Sequence, residues 1–130
     1  MARNRLGEMG EELAAGYYEE LGWQVLERNW ATPRGEIDLI VGRLLEDDAG
    51  DPMWSLIVVE VKTRGPRAKV APQASVTWRK RRQIVAMTKR YISVAGLHRV
   101  RVQFDVLAIV WGRFPKVTRF AGAFDACARV

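Results

Sequence analysis

The chain has 130 residues, 48% of them hydrophobic and 28% charged, a composition that suits one soluble domain over 1–130 and argues against disorder. Its single cysteine, Cys127, and single histidine, His98, exclude an internal disulfide and a Cys/His zinc centre. No apolar run approaches the ~18 residues of a membrane span, and the N-terminus has no apolar stretch of the secretory kind, so a cytoplasmic protein without a membrane partner is expected.

Lysine and arginine number 21 against 15 acidic residues, a formal charge of +6. Of the 21, 16 are arginine, the side chain better suited to bidentate phosphate contacts. A basic excess fits a phosphate-rich partner. It also fits a soluble protein without one.

In chain order, Leu6, Met9, Leu13, Tyr17 and Leu21 recur at three- and four-residue spacing and predict a helix over Arg5–Leu21, ended by Gly22. A strand follows from Trp23 to about Asn29. The turn Thr32-Pro33-Arg34-Gly35 leads into a second strand, Glu36 to Val41. Residues Glu46 to Pro52 read as an acidic, turn-rich loop, and Trp54 to Lys62 as a third strand. A basic loop from Thr63 to Pro72 precedes a second helix over about Ser75–Ala95, capped by Ser75 or Thr77 and stopped by Gly96. Arg101 to Trp111 is a further strand, and Val117 to Phe120 a short one. The order predicts an α/β fold, a mixed sheet flanked by helices.

Side chains two apart on a strand share a face, ~6–7 Å apart along the chain. Glu36 and Asp38 therefore share one face of the second strand, with Ile37 and Leu39 on the other. Glu60 and Lys62 share a face of the third. If these strands are neighbours, Asp38 and Glu60 can converge on one hard cation such as Mg²⁺, giving the elements of a phosphodiester-hydrolysis site. The same pattern describes the solvent face of an antiparallel sheet. Against that stands the run Leu56-Ile57-Val58-Val59, apolar on both faces, which marks a central, covered strand with Glu60 and Lys62 at its exit.

The segments Gly35-Glu36-Ile37-Asp38-Leu39-Ile40 and Val58-Val59-Glu60-Val61-Lys62-Thr63-Arg64 together resemble the YraN-type family of small bacterial proteins. The resemblance extends to Gly10-Glu11, Leu13-Ala14, the stretch from Gly22 to Asn29, Lys80, and Phe104-Asp105-Val106, over about residues 5 to 110. It implies the restriction-endonuclease-like, PD-(D/E)xK fold with an αβββαβ core, related to archaeal Holliday-junction resolvases. By that likeness Asp38 and Glu60 are metal ligands, with the Val61 carbonyl a third, and Lys62 activates water and stabilises developing charge. Mg²⁺ or Mn²⁺ is the implied cofactor. Ile37 stands where the superfamily has proline. The segment Gly42 to Met53 is longer than the family suggests, and its Glu46, Asp47, Asp48 and Asp51 would repel a phosphate backbone if they lay near the site.

Two helical residues stand out on projection at ~100° per residue. Glu11 falls at the border of the buried arc next to Tyr18, away from Glu8, Glu12 and Glu19; the resemblance makes it an outer carboxylate of the active site. Lys80 projects into the apolar arc of Val76, Ile84, Met87, Tyr91, Val94 and Ala95, where it either snorkels or meets a carboxylate or phosphate; the family lysine favours the site. Arg79, Arg82, Lys89 and Arg90 project away, as a phosphate-tracking surface or a solvated face. With Arg64 and Lys80, Arg79 and Arg82 are the expected nucleic-acid contacts. Asp105 reads as a structural carboxylate paired with an arginine, Trp30 and Trp78 as packing residues before base-stacking ones, and His98 as a surface residue. The expected function is metal-dependent cleavage of DNA, in preference to RNA, with branched or structured DNA favoured and a homodimer expected by analogy. The competing readings are a nuclease fold that binds nucleic acid or protein without cutting, and a subunit completed by a partner.

Overall fold

The computed structural model describes residues 5–67 and 76–125. Ser75, the end of the basic loop at Pro72, and Cys127 lie outside the described residues. The elements are α1 (Arg5–Glu20), β1 (Gln24–Thr32), β2 (Gly35–Glu46), β3 (Pro52–Arg64), α2 (Trp78–Val94), β4 (Val100–Val110) and β5 (Lys116–Phe124). The five strands form one sheet in the order β1-β2-β3-β4-β5, antiparallel except for the parallel pair β3–β4. A parallel pair needs a crossover, and α2 lies on the one that joins β3 to β4. The result is the expected α/β architecture, a mixed sheet with two helices, consistent with a restriction-endonuclease-like core.

β3 is the central strand, as its double-sided apolar run requires. Ile57 and Val59 pack with Ala14, Ala15 and Tyr18 of α1. Leu56 and Val58 face the other way, into a cluster with Ile84, Met87 and Tyr91 of α2.

Several boundaries move. β2 and β3 each run beyond their predicted ends, so the segment 42–53 is mostly a long hairpin with its tip at 47–51. β5 is nine residues rather than four. On α1 the buried residues are Gly10, Ala14, Ala15 and Tyr18, whereas Met9 and Leu21, predicted as buried, are 43% and 46% exposed. Small side chains set the contact face because they let the helix axis approach the sheet, and the larger residues flank it. Val94, predicted in the apolar arc of α2, is 66% exposed, although Tyr91 in the same turn is buried. Thr77 is the α2 cap, its Oγ1 accepting from the Lys80 backbone N–H at 3.1 Å. No helix among the described residues is long and apolar enough to cross a membrane.

Candidate metal centre

The centre forms where β2 parts from β3. Their pairing runs from Glu46↔Pro52 to Leu39↔Val59, after which β2 stays paired with β1 alone, through Ile37↔Trp30, Glu36↔Ala31 and Gly35↔Thr32. β3 meanwhile continues beside β4 to Arg64. Across the gap, Asp38 Oδ2 accepts a hydrogen bond from the Val61 backbone N–H at 2.8 Å. The side chain thus takes up a bond that the parting backbone gives up. Strict alternation also breaks here: Ile37 joins the α2-side cluster while Leu39 and Val41 join the α1-side cluster. The simple rule that Ile37 and Leu39 share a face fails for this reason, although Glu36 and Asp38 do come together.

Glu11 of α1, Glu36 and Asp38 each bring one carboxylate oxygen within 4.8 Å of the others, and all three are half-buried. Gly10 makes the approach of α1 feasible. A Cβ on it would collide with Oγ1 of Thr63, on the exit of β3, so only glycine lets the helix lie this close. Glu11 and Tyr18, seven residues apart, lie ~20° from each other on the helix. The buried Tyr18 thereby turns Glu11 towards the sheet.

Glu60 completes the cluster. It is buried, 7% exposed, and its side chain hydrogen-bonds with that of Asp38. Lys62 Nζ lies 3.7 Å and Lys80 Nζ 3.8 Å from Glu60 Oε2. Lys80 thus meets a carboxylate. Burial first, and then Glu60, push the Asp38 carboxyl up to about 8, against the Val61 N–H and Lys80, which favour its ionised form. Carboxylates held this close share a proton more readily than they both ionise. A divalent cation can replace that proton. Three converging carboxylate oxygens, with no sulfur or imidazole among them, match a hard ion such as Mg²⁺ or Mn²⁺.

The remaining predicted residues lie around this cluster. Arg64 ends β3, its Nη1 donating to the Thr63 carbonyl at 3.0 Å. Arg79 and Arg82 are exposed on α2. Val61 contributes its N–H to Asp38. Two residues outside the prediction also border the centre: Gln83 of α2 donates from Nε2 to the Arg34 carbonyl, tying the turn before Glu36 to the helix. Gly35, at φ +144°, admits Gln83 where a Cβ would be 2.5 Å from Nε2. The Pro33-Arg34-Gly35 turn just before an acidic strand was the available signal.

The acidic hairpin is remote. Seven residues of β2 separate Leu39 from Glu46, on the order of 23 Å at ~3.3 Å per residue. Arg99 ion-pairs with Asp47 there, and its Nη1 lies 3.8 Å from Asp51. The expected repulsion of a phosphate backbone at the site does not arise. Asp105 is structural, as predicted: fully buried, it accepts from Tyr18 Oη at 2.7 Å and from Arg119 Nε at 2.8 Å. Trp30 packs edge-on against Tyr91, and His98 is exposed.

The uncharacterised protein family UPF0102 matches residues 10–109, a span that includes all four carboxylates and both lysines. A UPF0102 protein of Rhodococcus jostii is 41% identical over 117 residues, 89% of this chain and 92% of the relative. One from Syntrophotalea carbinolica is 38% identical over 124 residues, 95% of this chain and 94% of its own. A third, from Anaeromyxobacter dehalogenans, is 35% identical over 130 residues, 98% and 89% of the two chains.

Proposed function

The chain belongs to the uncharacterised protein family UPF0102, the YraN-type family, and from that premise we propose that it is a divalent-metal-dependent nuclease acting on DNA. The observation that carries the reading is the convergence of Glu11, Glu36 and Asp38 beside Glu60, with two lysines on the same carboxylate. Asp105 shows the structural alternative, one carboxylate matched by one arginine; here three carboxylate oxygens converge beside a fourth acid that holds both lysines.

Glu11, Glu36 and Asp38 would hold the cation, with Glu60 beside Asp38. When bound, the cation supplies Lewis acidity at a phosphate oxygen and lowers the pKa of a coordinated water. Overall, water adds to phosphorus and one P–O ester bond breaks, leaving a phosphomonoester and a free hydroxyl. Glu60 sets the position of both ammonium groups. Lys62, the less exposed of the two at 22%, stabilises the negative charge that builds on the phosphoryl oxygens as water attacks. Lys80, more open at 37%, holds a phosphate of the incoming backbone. The neutral form of Asp38 cannot serve as a ligand, so activity should rise with pH as that carboxyl ionises.

The test is cleavage of single-stranded, duplex and four-way-junction DNA with Mg²⁺ or Mn²⁺ by the wild type, Asp38→Asn and Lys62→Ala. Wild-type cleavage, lost by about 100-fold or more in each variant (~2.7 kcal/mol of transition-state stabilisation), is the expected result. Equal cleavage by all three would end the proposal, and the substrate cut fastest identifies the preferred DNA structure, branched or linear.

A further inference from the structure

Beside the acidic cluster, the outer face of α2 and the β1–β2 turn enclose two adjoining concavities. One is lined by Arg34, Trp78, Arg79, Arg82, Gln83 and Ala86. The other shares Arg34 and Ala86 and adds Arg90 and Met87, with Thr32 and Pro33 on the turn side. Together they form one trough that, among the described residues, carries four arginines, one exposed indole and no carboxylate. Arg34 and Ala86 line both concavities, and the bond from Gln83 to the Arg34 carbonyl ties the turn to the helix.

Trp78 is the unusual part. It is the first residue of α2 and 48% exposed, an indole left on the surface of a chain that buries most of its large apolar side chains. The Arg82 guanidinium lies over the ring, 4.7 Å from its centroid, which fixes the indole and leaves ring surface open. Arginine and tryptophan arranged this way serve a flat, electron-rich ring with a phosphate attached.

We infer that this trough binds single-stranded nucleic acid, with one base stacked on Trp78 and the backbone along Arg34, Arg79, Arg82 and Arg90. A duplex keeps its bases stacked on each other and offers an indole no face, whereas an unpaired base does. From Trp78 to Arg90 the helix rises about 18 Å at ~1.5 Å per residue, room for a short stretch of extended strand. Both ends of the trough adjoin the centre by sequence: Arg34 stands two residues before Glu36, and Trp78 two before Lys80. The inference rests on the proposed hydrolysis only in making the bound strand a substrate. Binding itself needs no metal.

The experiment is fluorescence anisotropy of a labelled oligothymidylate of about 12 nucleotides and of a duplex of equal length, in EDTA so that nothing is cut. Wild type should bind the single strand more tightly than the duplex. Trp78→Ala should lose about tenfold or more on the single strand, in line with ~1–3 kcal/mol for a stacked base, and less than about twofold on the duplex. Trp78→Phe should keep single-strand affinity within about threefold, and Arg34→Ala should lower it with a shallower salt dependence. Single-strand affinity unchanged in Trp78→Ala, or lowered equally for both nucleic acids, would overturn the inference. Because the readout is made without metal, absence of cleavage elsewhere bears on the proposed hydrolysis alone, and absence of Trp78-dependent binding bears on this trough alone.

Discussion

Two buried carboxylate sites sit on the central strands of one sheet, and they are built in opposite ways. Asp105 on β4 is fully buried and accepts four hydrogen bonds, from Tyr18 Oη, Arg119 Nε, Gln103 Nε2 and the Gly122 backbone N–H. One arginine balances its charge, and the Tyr18 phenol beside it is driven upward by burial and by Asp105, so it stays protonated and donates. Asp38 on β2 accepts one backbone N–H and faces Glu60, Glu36 and Glu11. The first arrangement maximises stability of the folded chain. The second packs carboxylates against one another beside two lysines held by Glu60, an arrangement that raises the Asp38 carboxyl rather than stabilising its charge.

The largest expected contrast is in stability. Asp105→Ala leaves Arg119, the Tyr18 hydroxyl and the Gly122 N–H without their acceptor, and should cost ~3–5 kcal/mol, a fall in Tm on the order of 10–20 °C. Asp38→Asn should do the reverse in metal-free buffer, keeping Tm level or raising it, because it removes the cost of folding with a carboxyl that must either hold a proton above its ordinary value or carry its charge among other acids. Urea unfolding of the two variants side by side measures this. A comparable loss in both would erase the distinction between the sites.

The contact of α1 with β3 gives the next largest effect. Gly10→Ala pushes a methyl against Thr63 and should cost about 1–3 kcal/mol, less the ~1 kcal/mol that alanine gains over glycine in a helix. Thr63→Ala should restore most of the loss, and a double-mutant cycle measures the coupling. If Gly10→Ala stabilises the chain outright, the helix does not need its close approach.

Stability against pH sharpens the comparison further. The Asp38 carboxyl binds its proton more tightly in the folded chain, about 8, than at its ordinary value of 3.8. The folded state therefore carries more protons between those values, and metal-free stability falls as pH rises through that window. Below pH ~4 the effect is absent, and above about 8 it is complete. In Asp38→Asn this slope should flatten. Mg²⁺ should raise Tm most at the alkaline end, where the cation no longer competes with the proton.

The smallest effect is expected at the far hairpin. Asp47→Asn should change stability little, its pairing with Arg99 being exposed and screened by solvent, and should leave metal affinity unchanged, by calorimetry, because the tip is a strand's length from the cluster. A shift in affinity would place those acids in the site's field after all.

Much of the centre was legible because charge conflicts with pattern at particular residues. Glu60 and Lys62 end an apolar strand, Lys80 interrupts an apolar helix arc, and Glu11 sits off the acidic face of α1. Each is a polar residue where burial predicts an apolar one, and each lies in the cluster. The long apolar run marked β3 as a central, covered strand, whereas its pairing with β2, which brings Asp38 to Glu60, entered the sequence reading only as a condition and is given by the register. What could not be read depended on backbone geometry. Alternation predicts one face for Ile37 and Leu39, and only the parting of β2 from β3 separates them. Helix periodicity weights large side chains, so Met9 and Leu21 outranked Gly10 and Ala15, although small residues decide how near a helix can lie. The acidic residues after Leu45 looked like a loop of unknown position until the hairpin register carried them away from the site.

The most direct test of the central claim is calorimetric titration of Mn²⁺ into the wild type and Asp38→Asn at about pH 8.5, above the raised Asp38 value. Saturable binding by the wild type that disappears in Asp38→Asn, while that variant remains folded, is the result predicted for a carboxylate cluster held apart for a cation. Absence of binding by the wild type, or equal binding by both proteins, would contradict it.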